Sequence, residues 1–288
     1  MFASRLAAGS AVVLILAAPG ARAEEAWTAS GFEAPESVVY DSARDILYVS
    51  NIVGAPDGKD GAGYISRLAT DGTMQEAQWV TGFDAPKGMV LAGDTLYVSD
   101  IDRLVAIDLE GGKISGSWPA EGAVFLNDTA IDAVGRVYVS DMMTDRIYVL
   151  DGDSVSVWLE DAALTHPNGL EVQDGKLLVA AWGKDIQQDF STKAPGSLLS
   201  VDLETKAISV IGDGAGVGNL DGIEPDGAGG WLTTDWVAGG LYRIAADGKA
   251  QELLDLGQGS ADLEYIPDQK LAIIPMMSDG VVVAHRID

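Results

Sequence analysis

Six polar side chains open comparable segments of the chain: Glu36, Lys87, Asn127, Asn168, Asp221 and Asp262. Five of them offer carboxylate or amide oxygens, the donor type that hard cations such as calcium, magnesium and manganese take up in numbers. Zinc fits less well, because the chain has no cysteine and only two histidines, His166 and His285. Three carboxylates and one ammonium leave this set with two surplus negative charges, which one divalent cation would neutralise. A second reading needs no metal. Asx side chains bond nearby backbone groups, and Lys87 could pair with Glu36 or Asp262. Crowding acids round one axis without a cation is costly, since like charges raise one another's pKa. The residues alone leave both readings open.

The six positions are comparable because the chain repeats. GFEAPES (31–37) and GFDAPKG (82–88) agree at four of seven letters, and Tyr-Val-Ser followed by Asn or Asp occurs at 48–51, 97–100 and 138–141. Intervals of 51, 40, 41, 53 and 41 residues separate the six positions, so a unit of about 40 residues recurs with two insertions. Within a unit, short segments rich in Tyr, Val and Ile alternate with turn residues, which predicts four strands. Four-stranded sheets at this period are the signature of a β-propeller. The expected fold is all-β with six four-stranded blades. The last repeat is one strand short, and AWTASGF (26–32) resembles AQWVTGF (77–83), the outer strand before the second of the six positions. The N-terminal strand is therefore expected to complete the last blade and close the ring.

All six positions open innermost strands and should converge at one mouth of the channel. The insertions, 51–63 and 182–196, join second to third strands and overhang the same face, where binding is usually built. Met142, Met143, Trp182, Trp236, Met276 and Met277 are expected along this rim as apolar pocket walls, an alternative being packing between blades. Asn51, Asp100, Asp141 and Asp235 end second strands and are read as turn stabilisers.

Residues 1–23 have the layout of a secretory signal peptide: Arg5, an apolar run over about 11–18, a Pro-Gly break, and Ala21-Arg22-Ala23. The run falls short of the roughly 18–20 residues that span a bilayer. A mature domain over 24–288, periplasmic or secreted and without membrane contact after cleavage, is expected. Without cysteine it has no disulfide-linked partner. Forty-four acidic against eighteen basic residues give a formal charge of −26, which repels phosphate backbones and argues against nucleic-acid binding. The chain carries no G-x-S-x-G elbow and no H-E-x-x-H helix. The glycine stretch 212–218 leads into another inner strand, so it is no nucleotide-binding turn.

With Glu36 in the first blade, Asn127-Asp128 in the third, Asn168-Gly169 in the fourth and Asp221-Gly222 in the fifth, the sequence resembles the senescence marker protein, gluconolactonase and regucalcin family. It is more distantly similar to the paraoxonases and strictosidine synthase-like proteins. The resemblance implies Glu36, Asn168 and Asp221 as ligands of a divalent metal, calcium foremost with magnesium or manganese as alternatives. It implies Asn127 as an orienting group that often reaches the metal, and Asp221 also as general base. There are departures. Pro35 and Ser37 flank Glu36 where sugar lactonases show Glu-Gly-Pro, and Phe125 stands where they often carry Arg. An aromatic ring in place of a cation argues against a polyhydroxylated lactone.

Hydrolysis of a lactone or related ester is the expected activity on a small-molecule substrate, with Asp221 or His166 activating water and Lys87, Phe125, Trp182, Trp236, Met142 and Met276 lining the substrate pocket. A hydrogen-bonded loop role is the alternative for His166, and His285 has no expected role. The rival function is a non-catalytic propeller of the NHL type that binds a protein or small ligand by the same face.

Overall fold

A computed structural model describes residues 23–213 and 216–287. Six four-stranded antiparallel sheets radiate as blades. Their inner strands are Pro35–Asp41, Pro86–Ala92, Leu126–Ile131, Pro167–Gln173, Leu220–Pro225 and Glu264–Ile266. The ring closes as the repeats predict: Glu24–Ser30 pairs antiparallel with Val281–Arg286 as the outer strand of blade six. No covalent bond holds this seam, so closure rests on ladder hydrogen bonds and on Ala29 and Phe32, which share one apolar cluster with Val282 and Ala284. The signal-peptide reading falls on residues that, Ala23 excepted, lie outside those described.

Each interface between neighbouring blades has its own apolar cluster. The one between blades three and four gathers Tyr138, Ile147, Trp158, Leu170 and Val179. Alternation along the strands supplies both faces of every sheet, because successive side chains point to opposite sides. The second insertion, read from sequence as a loop, holds a two-stranded hairpin of Gly183–Ile186 and Thr192–Pro195.

One local device recurs at the start of the inner strands. Pairing with the second strand skips a residue between Pro35 and Val38, Pro86 and Met89, Leu126 and Thr129, Pro167 and Leu170, and Leu220 and Ile223. Such β-bulges re-aim side chains, and the residues inside them include Glu36, Lys87, Asn127, Asn168 and Asp221. Second-strand hydroxyls hold the bulges. Ser140 Oγ accepts from Asp128 N at 2.9 Å and donates to the Asn168 carbonyl of the next blade at 2.7 Å. Thr234 Oγ1 does the same for Gly222 N and the Ala261 carbonyl, at 3.0 and 2.7 Å.

Blade six departs from expectation by one residue. Its bridge from Ser260 to Met276 corresponds to Pro35 opposite Asn51, so the position equivalent to Glu36 is Ala261 and not Asp262.

Candidate functional site

Glu36, Lys87, Asn127, Asn168 and Asp221 meet at one end of the channel, where they line a cavity of about 250 Å³. None is more than 6% exposed. Glycines let the strands approach closely enough. A Cβ on Gly169 would lie 2.0 Å from the Asp221 carbonyl oxygen, and one on Gly88 would lie 2.3 Å from Asp128 Oδ1.

The oxygens at this mouth are poorly satisfied. Glu36 Oε2 and Asn168 Oδ1 are buried and meet no hydrogen-bond donor among the described residues, an expensive arrangement for an empty apolar setting. Burial pushes the Glu36 carboxyl well above its usual range, the Asp221 charge adds to that, and Lys87 opposes it. Asp221 is raised by burial first and then by Asp262 and Asp235. Both shifts express the same cost: two carboxylates in a dry site resist ionising unless a cation is near. Among the described residues no three His, Asp or Glu side chains converge as a ready metal cluster. The mouth instead combines two carboxylates with two amides, an oxygen set that fits a hard cation.

Lys87 forms no ion pair with Glu36 or Asp262. Its Nζ donates to the carbonyls of Pro56 at 2.9 Å and Ala85 at 3.1 Å and stands 4.4 Å from the centre of the Phe125 ring. Burial pulls its pKa down to about 8, with Glu36 acting in the opposite sense.

Above this polar ring sits an apolar one. Ile52, Met142, Trp182, Trp236 and Met277 each follow the end of a second strand and line the cavity; Ile101, at the corresponding place in blade two, packs with Ile52 and Ala85. Phe125 and Phe190 extend the wall. Phe190 is brought in by the second insertion, whose Phe190 carbonyl accepts from Trp182 Nε1 at 2.8 Å, and Trp236 packs 6.0 Å from Trp182. Met276, expected in the pocket, is packed instead between blades five and six with Leu232, Leu241 and Ile274. It ends a strand, and alternation turns the next side chain, Met277, to the cavity. His166 also stays outside the lining. Its Nδ1 donates to the Met142 carbonyl at 2.8 Å while Asp145 Oδ1 accepts from its backbone N–H at 2.6 Å, the arrangement of a loop histidine.

The strand-end acids cap loops as expected. Asp100 accepts from Asp84 N and Ala85 N, Asp141 from Val124 N and Phe125 N, and Asp235 from Val237 N and Ala238 N. Asn51 Oδ1 accepts from Glu33 N.

Sequence reasoning missed a second tier deeper in the channel. Asp128, Glu171, Glu224, Asp262 and Glu264 line a separate cavity of about 80 Å³. Asp262 belongs here because it lies one residue past the mouth position; it accepts from Ser37 Oγ at 2.7 Å and Leu263 N at 2.8 Å. A signal existed: Leu170-Glu171, Ile223-Glu224 and Leu263-Glu264 repeat an apolar-Glu pair in three successive blades.

Solved structures share this architecture. The gluconolactonase from Xanthomonas campestris is 14% identical, with a TM-score of 0.67 over 93% of this chain and 90% of that one. Gluconolactonases and this chain have one fold. A further protein assigned to the gluconolactonases superposes with a TM-score of 0.67 at 18% identity, covering 94% of this chain and 93% of its own. Virginiamycin B lyase from Staphylococcus aureus, solved as a catalytically inactive variant with quinupristin, gives 0.61 at 11% identity over 93% of this chain and 100% of that one. At such identities the likeness concerns the fold. No protein-family profile and no curated protein sequence matches the chain.

Proposed function

We propose that this protein is an exported, metal-dependent hydrolase of lactones or related esters that works at the cavity lined by Glu36, Asn127, Asn168 and Asp221. The carrying observation is the pair of buried, undonated oxygens, Glu36 Oε2 and Asn168 Oδ1, in the same cavity as Asp221. Glu36, Asn168 and Asp221 would hold a divalent cation, calcium foremost, with Asn127 orienting substrate beside them. Bound there, the cation would supply Lewis-acid polarisation of the scissile carbonyl.

The chain's own groups do the rest. Asp221 would accept the proton of the attacking water, a role open to a carboxylate that lines the cavity beside the cation's other ligands. His166 takes no part, since it stands outside the lining. The aromatic and methionine walls exclude bulk water and hold the apolar part of the substrate. Export follows from the leader-like residues 1–23.

The test is thermal stability of the 24–288 protein with EDTA and with calcium, followed by a lactone and aryl-ester panel. A ligand that binds only the native state raises the melting temperature by mass action. Calcium should therefore raise it in the unaltered protein and not in Glu36→Gln. No shift and no turnover of any ester would leave the non-catalytic propeller as the better description.

A further inference from the structure

Lys87 is 1% exposed, yet among the described residues no carboxylate lies within ion-pair distance of its Nζ. Buried charges are normally paired, because taking an ammonium out of water is expensive. Here two of its donors are spent on the Pro56 and Ala85 carbonyls and the Phe125 ring covers one side. An ammonium has one donor more, and Lys87 lines the cavity. With Asp262 assigned to the deeper tier, the mouth holds two carboxylates and one ammonium. A divalent cation between Glu36 and Asp221 would cancel both carboxylates; of the other acids whose charge reaches Lys87, Asp100 is paired with Arg103 and Asp57 is exposed on the first insertion. The walls around it are Phe125, Met142, Trp182, Phe190, Trp236 and Met277, none of which supplies an anion.

We propose that Lys87 anchors a carboxylate carried by the substrate, so that the preferred substrates are aryl or alkyl lactones and esters bearing a carboxylate. This rests on the hydrolase reading. It deepens that reading by dividing the cavity into an ester-binding side at Glu36, Asn168 and Asp221 and an anion-binding side at Lys87, with an apolar body between them. The Arg-to-Phe departure at Phe125 then has a consequence. The ring that replaces a cation supports the one at Lys87 from below and closes it off from water.

The experiment compares matched aryl lactones, one with a carboxylate and one with the corresponding carboxamide. A charge-assisted hydrogen bond in a dry site makes kcat/KM for the carboxylate at least about tenfold higher. Lys87→Met should bring that ratio to about one, and Lys87→Arg should retain part of it. Circular dichroism confirms that each variant is folded. A second arm needs no turnover: quenching of Trp182 and Trp236 fluorescence by an arylalkanoate and by its amide, measured in EDTA so that no cation at the mouth binds the carboxylate. The acid should bind the unaltered protein more tightly than the amide does. A ratio near one in the unaltered protein in both arms overturns the proposal, whatever becomes of the variants. So does an equal slowing of both lactones by Lys87→Met, which would make Lys87 a general stabiliser of the reaction's oxyanion. If no lactone turns over but the acid still binds preferentially through Lys87, the anion site stands and the hydrolase reading falls.

Discussion

The channel holds two acidic tiers one above the other, and they differ in how their oxygens are used. In the deep tier Asp128 accepts from Thr129 N and Leu170 N, both at 2.6 Å, Asp262 from Ser37 Oγ and Leu263 N, and Glu264 from Tyr40 N at 2.7 Å. Several of these bonds cross from one blade to the next, so the acids act as staples round the axis. At the mouth Glu36 Oε2 and Asn168 Oδ1 receive nothing. More carboxylates line the deeper tier, and among the described residues Glu224 there accepts no bond either. Asp128, Asp262 and Glu264 are nevertheless held by donors, whereas among the described residues Glu36 Oε2 and Asn168 Oδ1 at the mouth meet none. Density of acids is thus a poor guide to a site; the satisfaction of each oxygen is a better one.

The largest expected effect tests that contrast directly. Asp221→Asn should lower kcat/KM by about a hundredfold or more, the range for loss of a general base, while Glu224→Gln one tier below should leave it within about threefold. Equal losses would erase the distinction between the tiers.

Next comes the close approach that builds the mouth. Gly169→Ala would place a Cβ 2.0 Å from the Asp221 carbonyl oxygen, and backbone must move to admit it. A loss of about 1–3 kcal/mol of stability, the cost typical of overpacking, should appear in urea denaturation, together with a weaker calcium-induced rise in melting temperature. An unchanged calcium response would show that the spacing of blades four and five does not set the site.

Ser140→Ala should cost about 1–2 kcal/mol, because it unpairs the buried Asp128 N–H and the Asn168 carbonyl together. The same variant in calcium and in EDTA separates support of the fold from support of the mouth.

The smallest effect is a pH slope from the deep tier. Burial raises Glu171 to about 7 and Glu264 to about 8. Both bind protons in the native state that the unfolded chain has already released above its ordinary value of 4.5. The native state therefore loses stability as pH rises from about 5 to about 8, and the loss is complete above the folded values. The melting temperature should fall over that window, and Glu171→Gln should flatten the fall. A slope that persists in calcium keeps the tiers separate, whereas one that calcium abolishes would mean that the deep acids share the ion.

Much of the architecture was legible. The Tyr-Val-Ser repeats encode the second strand, the hydroxyl that clasps the bulge and the Asx that caps the preceding loop, so one phrase carries three structural roles. The seam at blade six followed from likeness between 26–32 and 77–83. In blade six the expected and observed positions differ by a single residue. Asp262 is expected at the mouth where Ala261 stands, and of Met276 and Met277, both expected along the rim, only Met277 lines the cavity. Blade six lacks both the Tyr-Val-Ser phrase of blades one to three and the Asn-Gly or Asp-Gly pair that marks the bulge in blades four and five, and in a strand a shift of one residue exchanges the faces. His166 was close in sequence to Asn168 but separated from the cavity by its bond to the Met142 carbonyl.

Repetition and alternation are local, so the chain by itself determined the number of blades, the strand pattern and the types of oxygen offered at each inner strand. Which oxygens go without donors and that Lys87 has no carboxylate partner among the described residues, and that the deep acids staple neighbouring blades, were decided only when the ring closed. Hydrogen-bond satisfaction and burial depend on residues more than a hundred positions apart, as Ser37 and Asp262 are, and no window of sequence contains both.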